Sequence, residues 1–166
     1  MKRLPKYTPA EVRNDPYGFT YKEMSEVIGE NEAKALYEEL YKQLPRKKNL
    51  SMLVKNICKS SDTEKYVYEL KDNKYIETVF IKRRDGGTVC VSTQVGCPVG
   101  CIFCESGRNG FVRNLTSSEI VQQIILLRRK VNRIVFMGMG EPLFNYDNLI
   151  KAIHTVSYTH LTLPTT

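Results

Sequence analysis

Apolar residues recur at helical spacing through the first part of the chain. Between Tyr21 and Ile28 they fall at Met24, Val27 and Ile28, and between Glu32 and Leu44 at Ala33, Leu36, Tyr37, Leu40, Tyr41 and Leu44. Side chains three or four residues apart share one face of an α-helix, so both stretches predict amphipathic helices. Pro45, which has no amide hydrogen to donate, ends the second. Leu50, Leu53, Val54 and Ile57 repeat the spacing and predict a third helix over Leu50–Lys59. Residues 1–60 therefore read as a small all-helical module.

The period then shortens to two. Tyr66–Leu70 and Tyr75–Ile81 alternate like strands and are rich in aromatic and β-branched residues, with Asp72-Asn73 turning between them. Asp85-Gly86-Gly87 predicts a second turn and Thr88–Gln94 a third strand, followed by a cysteine-bearing loop. From Thr116 the helical period returns. Thr116-Ser117-Ser118-Glu119 is a capping-box string, and Ile120, Ile124, Leu127 and Val131 continue an apolar face. Arg133–Met137 is a short apolar strand, Gly138–Pro142 a loop, and Asp147–Thr155 the start of a helix. Strand, helix, strand, helix in that order predicts a parallel sheet with crossover helices, an α/β fold over residues 61–155. The last eleven residues, Val156–Thr166, carry no charge and no helical period. They match the translated read-through of a common sequencing-library adapter, so 156–166 is set apart from the fold. On that reading His160 has no role, and His154 is a structural helix residue.

Composition narrows the class. Hydrophobic residues are 42% and charged residues 26%, an ordinary globular balance. No apolar run approaches the roughly 20 residues that span a bilayer, and the basic start Met1–Lys6 has no apolar segment behind it, so neither a membrane span nor a signal peptide is expected. A cytoplasmic protein follows. The net charge is +7, with basic clusters at Lys2/Arg3/Lys6, Arg46/Lys47/Lys48, Lys82/Arg83/Arg84 and Arg128/Arg129/Lys130. A polyanion such as RNA would gain from them through counterion release.

The five cysteines are Cys58, Cys90, Cys97, Cys101 and Cys104. In a chain without a secretion signal, clustered cysteines read as metal or cofactor ligands rather than a disulfide framework. Cys97, Cys101 and Cys104 have the spacing C-x3-C-x2-C. Three thiolates so placed can hold one face of a [4Fe–4S] cubane, which normally takes four, and leave one iron open to chelate a small molecule. A structural zinc site is the competing reading, with Cys90 as a fourth thiolate. Gly138-Met139-Gly140-Glu141-Pro142 directly follows an apolar strand. Its glycines allow a close backbone approach to a ligand, and Glu141 can accept a hydrogen bond from an ammonium group. Ligands of parallel α/β folds sit at the carboxyl ends of strands. Cys90 also reads as a packed strand residue, and Glu77 as a solvent-facing one. Cys58 reads as a packed residue, while Arg113 and Asn114 could meet a phosphate, a cofactor or solvent.

Three blocks carry a family resemblance: Cys90–Cys97 (CVSTQVGC), Gly107–Leu115 (GRNGFVRNL) and Met137–Asn145 (MGMGEPLFN). With the strand pair before them, residues from about Tyr66 to Thr155 resemble the RlmN family of radical S-adenosylmethionine (SAM) RNA methyltransferases and, less closely, its relative Cfr. The helical N-terminus loosely resembles that family's accessory, RNA-binding-like domain. The resemblance implies the first βα units of an incomplete (β/α) barrel. It implies a [4Fe–4S] cluster and SAM as cofactors, with cluster ligands Cys97, Cys101 and Cys104. Phe103, Gly140 and Glu141 would be SAM-side residues. By position Cys90 matches the family's resolving cysteine and Glu77 its proton acceptor. The implied reaction is methylation of C2 of an adenine in 23S ribosomal RNA, and in some members transfer RNA, by way of a methylated cysteine and a disulfide. C8 methylation as in Cfr or another radical SAM reaction, and a non-catalytic cluster- or zinc-bearing RNA-binding module, are the rival functions. RNA, a reductant such as flavodoxin or ferredoxin, and a monomeric state complete the expectation. The methyl-carrying cysteine would lie beyond Thr166, so the chain alone is expected not to turn over, and its sheet edge and apolar faces to favour aggregation. Glu105-Ser106 departs from the small residues usual after the third ligand.

Overall fold

Three helices begin on a threonine that takes up an otherwise unpaired amide. The computed structural model describes residues 6–42, 50–84, 86–108 and 110–162, and for residues 41, 42 and 158–162 the backbone alone. Thr8 opens α1 (Pro9–Asn14), Thr20 opens α2 (Tyr21–Ile28) and Thr116 opens α5 (Ser117–Leu126). Each hydroxyl accepts the amide three residues on, and Glu11, Glu23 or Glu119 reaches back to the threonine amide. Loss of such a cap costs about 1 kcal/mol. The Thr116 box is thus as its sequence predicts. Helix α3 (Glu30–Lys42) completes the N-terminal group, and a 3-10 turn, Pro16–Gly18, joins α1 to α2. Leu44, Pro45 and the Arg46/Lys47/Lys48 cluster lie outside the described residues, as do Lys2, Arg3 and Asp85.

The third predicted helix is a strand. Residues Met52–Lys59 form β1, which pairs antiparallel with β2 (Thr63–Leu70). Leu50, Leu53, Val54 and Ile57 fit a helical period, but only Met52 of this strand enters the core. The open backbone edge of β2 takes the segment instead, and tertiary pairing overrides local spacing. Lysines 55 and 59 and a register shift between Val54 and Asn56 blunt the resulting edge. Strand β2 pairs antiparallel with β3 (Tyr75–Arg83), and β3 with β4 (Gly86–Cys90). The predicted strand over Thr88–Gln94 is broken: β4 ends at Cys90, and a separate short strand β5 (Gln94–Gly96) pairs with β6 (Phe111–Asn114). Helix α4 (Glu105–Arg108) lies between them, and α5 then crosses over to β7 (Arg133–Val135). Strand β7 lies parallel to β4, as predicted, giving the order β1-β2-β3-β4-β7. After a 3-10 turn, Pro142–Asn145, helix α6 runs from Tyr146 to Thr162. The predicted helix start over Asp147–Thr155 is found, and the helical backbone continues beyond it to Thr162.

One face of the sheet carries the core. Tyr66, Tyr68, Ile76, Phe80 and Val89 are buried there, and the same cluster continues into α5, α6 and the N-terminal helices through Val12, Tyr17, Met24, Tyr37 and Leu40. Polar bonds fix the docking: Tyr37 donates its hydroxyl to the Thr155 carbonyl at 3.3 Å, and Ser118 donates to Asp15 Oδ1 at 2.5 Å. Helix α5 is keyed to the sheet by Gln123, whose Oε1 accepts from the Thr78 hydroxyl and the Ser92 amide, both at 2.8 Å.

At the far edge of this face Glu64 is buried. It accepts from the Tyr66 hydroxyl at 2.6 Å and from Arg129 Nε and Nη2 at 3.1 and 2.9 Å, with Lys82 at 3.6 Å. The Tyr66 hydroxyl first, then Arg129, holds its carboxyl down at about 2. A folded-state value below the unfolded one adds stability at neutral pH, lost as pH falls from about 4.5 towards 2. Glu64→Gln is expected to lower Tm at pH 7 by about 5 °C and to flatten the fall in Tm across that acid window, as read by thermal melts from pH 7 to 2. An unchanged acid slope would refute the assignment.

Candidate functional site

Two loops leave the sheet at the carboxyl ends of the adjacent parallel strands β4 and β7, and they are sewn together by backbone bonds. The Gly138 amide donates to the Val91 carbonyl at 3.0 Å, and the Thr93 and Gln94 amides donate to the Met139 carbonyl at 2.9 and 3.2 Å. The Ser92 hydroxyl donates to the Glu77 carbonyl at 2.6 Å and accepts from the Met139 amide at 2.9 Å. Asn145 Nδ2 donates to the Thr93 and Leu115 carbonyls at 2.8 and 2.7 Å. The three sequence blocks thus meet in one place.

The first loop carries the cysteines. Its base is the β5–β6 pair, closed by the Cys97 amide donating to the Gly110 carbonyl at 3.2 Å. A tight turn follows, in which the Cys104 amide donates to the Cys101 carbonyl at 3.0 Å. Cys101 is exposed, Cys97 and Cys104 are half-buried, and all five cysteines are free thiols. Ile102 and Phe103 are 96% and 89% exposed, so the side chain of Phe103 faces water rather than packing beneath the loop.

In the second loop the bare backbone of Gly140 also serves the contact between the loops. Gly140 has φ +97°, and a Cβ there would lie 2.5 Å from Gln94 Cβ. Its close neighbour is the cysteine loop's own stem, so the bare backbone serves the joining of the loops. The Glu141 amide donates to Gln94 Oε1 at 2.8 Å, and its carboxylate accepts from the Leu143 amide at 3.1 Å. One carboxylate oxygen is thereby used to start the 3-10 turn.

Cys90 and Glu77 share the sheet face opposite α5. Cys90 is registered against Val79, two residues from Glu77, and alternation puts all three on one side. Glu77 is 47% exposed and pairs with Lys65 at 2.9 Å. Burial pushes the Cys90 thiol up, partly offset by a hydrogen bond with the Met137 backbone. A raised value leaves less thiolate at neutral pH, and the thiolate is the nucleophile. In the cluster-free protein Cys90 is therefore expected to alkylate with iodoacetamide on the order of tenfold more slowly than Cys58 and Cys101, the gap narrowing as pH rises. Peptide mapping reads the order, and Cys90 reacting first would refute it.

Cys58 is exposed on β1 rather than packed. Arg113 is committed within the fold: it forms two bonds to Glu119 at 2.8 and 2.9 Å and one to Asp72 at 2.7 Å. Asn114 accepts from Gln94 and donates to the Phe144 carbonyl. Of the basic clusters, Lys82 and Arg129 are turned inward to Glu64.

Three free thiols on one loop, with Cys90 on β4 outside it, suit a cluster that keeps one corner open. Among the described residues no three His, Cys, Asp or Glu side chains are gathered as a single metal ion requires. Residues 91–163 match the Radical SAM superfamily. A crystal structure of a radical SAM methyltransferase from Sphaerobacter thermophilus superposes with a TM-score of 0.76 at 30% identity, over 86% of this chain and 51% of that one. The chain carries a radical SAM domain over residues 91–163. Its curated relatives include a probable dual-specificity RNA methyltransferase RlmN from Thermotoga petrophila, 49% identical over 113 residues, which are 66% of this chain and 33% of the relative. The protein of the same description from Thermosipho melanesiensis is 41% identical over 157 residues, 90% of this chain and 44% of that one. The chain thus spans 33% and 44% of the lengths of these two relatives. The radical SAM domain implies a [4Fe–4S] cluster and SAM as cofactors. Among the described residues no helix is long and apolar enough to cross a membrane.

What the sequence reading missed is the joinery: Ser92, Gln94, Gln123 and Asn145 hold the site together. All but Gln123 lie inside the resemblance blocks, but nothing in their spacing announces a partner far away in the chain.

Proposed function

We propose that this chain is the radical-generating portion of an RNA methyltransferase of the RlmN type, acting in the cytoplasm on C2 of an adenine in 23S ribosomal RNA, and on transfer RNA where the enzyme is dual-specific. One observation carries the reading: a three-cysteine loop and a Gly-Met-Gly-Glu loop bound to each other at the ends of neighbouring parallel strands, where ligands of such folds sit.

Cys97, Cys101 and Cys104 would hold the cluster. Held there, a reduced cluster would supply one-electron chemistry for reductive cleavage of SAM. Gly140 offers backbone close to the cysteine loop, and the free oxygen of Glu141 is available to an ammonium group. Phe103 would close over the cluster side from its exposed position. Below them, Cys90 and Glu77 share a face that a base could approach. Cys90 would act as the resolving thiol, a role that needs its proton removed first, and Glu77 as the acceptor of the C2 proton once released from Lys65. The helices before β1 would serve as the RNA-facing accessory unit, with residues 61–155 as the catalytic portion. A low-potential flavodoxin or ferredoxin would be the reductant.

Anaerobic reconstitution with iron and sulfide tests this. The expected result is about four irons and four sulfides per chain and reductant-dependent formation of 5′-deoxyadenosine and methionine from SAM. Zinc without inorganic sulfide would leave only a metal-bearing RNA-binding module. Cluster formation without SAM cleavage would remove the enzymatic reading.

A further inference from the structure

Gln94 stands where the two loops meet. Its side chain is 1% exposed, and both ends are bonded across the site. Oε1 accepts from the Glu141 amide at 2.8 Å, and Nε2 donates to Asn114 Oδ1 at 2.8 Å. Asn114 Nδ2 donates in turn to the Phe144 carbonyl at 3.3 Å, and the Phe144 amide donates to the Glu141 carbonyl at 3.1 Å. The circuit closes on itself through Gln94, Asn114, Phe144 and Glu141. The stem of Gln94 fills the space that a side chain at residue 140 would need. Three residues further on the chain reaches Cys97.

We infer that Gln94 is a positioning residue for SAM: it sets the backbone of Gly140 and Glu141 against the cysteine loop, so that one small molecule can be held by both. The inference rests on the function proposed above. It follows from what a primary amide alone does here, accepting on one side and donating on the other. Glutamate keeps the acceptor for the Glu141 amide and loses the donor. The Asn114 amide can turn to donate to that carboxylate, but its oxygen then faces the Phe144 carbonyl. Alanine loses both bonds. The order of function is therefore glutamine, glutamate, alanine.

The test uses the full chain, reconstituted anaerobically, with Gln94→Ala, Gln94→Glu and the gentler Asn114→Ala, whose residue is exposed. Three quantities are read: iron and sulfide per chain, SAM affinity from its effect on the electron paramagnetic resonance of the reduced cluster, and amide exchange over residues 139–144 in the cluster-free protein. Gln94→Ala is expected to load a normal cluster, with an unaltered spectrum before SAM is added, and to bind SAM about tenfold or more weakly. Its 139–144 amides exchange faster. Gln94→Glu recovers most of the affinity, and Asn114→Ala loses about threefold. Unchanged affinity in Gln94→Ala overturns the inference. So does a parallel fall of iron content and affinity in both Gln94 variants, which would make Gln94 a general fold residue. A wild-type chain that loads the cluster but does not respond to SAM overturns the proposed function and the ligand named here. The brace between the loops then stands or falls on the exchange rates alone.

Discussion

Cys101→Ala is expected to fold as the unaltered chain does and to take up no stable cluster. The sulfur of Cys101 is exposed, so its removal opens no cavity in the core. The local turn depends on the Cys101 carbonyl accepting from the Cys104 amide, and alanine keeps that carbonyl. Fold and ligand are separable at this residue. Removing an outer-shell partner of a metal site costs 10- to 100-fold, so removing a ligand is expected to cut SAM cleavage by more than about a hundredfold. Cys58→Ala serves as control: Cys58 is also exposed, lies on β1 and should leave iron, sulfide and cleavage unchanged. Thermal melts of the cluster-free proteins, beside iron and sulfide assays of the reconstituted ones, check both halves. Normal loading by Cys101→Ala would remove Cys101 from the ligand set.

Gly96→Ala is expected to be the most damaging single methyl in the loop region. Gly96 has φ +73°, a left-handed conformation that costs an L-residue roughly 1–2 kcal/mol. The added Cβ would also run into the Gly110 carbonyl, which is backbone and accepts from the Cys97 amide. Strand β5 and β6 cannot stay paired around it. The sum is about 3–5 kcal/mol, a fall in Tm on the order of 10 °C for a chain of this size. Gly100→Ala separates the two causes. Its φ is +65° but nothing lies within 4 Å, so only the conformational cost of about 1 kcal/mol applies. Melts of the two cluster-free variants give the comparison, and equal losses would show that the collision with Gly110 does not matter.

The parts legible in the sequence are those with a local signature. The Thr116 capping box, the alternating hairpin and the parallel return of β7 all follow from neighbours a few residues apart. Residues 52–59 misled because their apolar positions satisfy a helical spacing while most of them face outward on an edge strand. What decides their state is the unpaired side of β2, a fact about a different segment. The site divides in the same way. The cysteine spacing and the Gly-Met-Gly-Glu string are visible as strings, but the use of Gly140 is not, because the atom it avoids belongs to Gln94. Arg113 looked available to a phosphate, and its partners Glu119 and Asp72 become evident only when α5 and the β2–β3 turn are in place.

Gln123 has a mechanical consequence. Through one amide group it grips Thr78 on β3 and both backbone groups of Ser92. A roll or slide of α5 would break these grips together, and Ser92 would pull the Met139 amide and the Glu77 carbonyl with it. The ground on which both loops stand behaves as a stiff plate. The tip of the cysteine loop stands outside this bracing, with Ile102 and Phe103 96% and 89% exposed, so substitutions there should leave the plate itself unchanged.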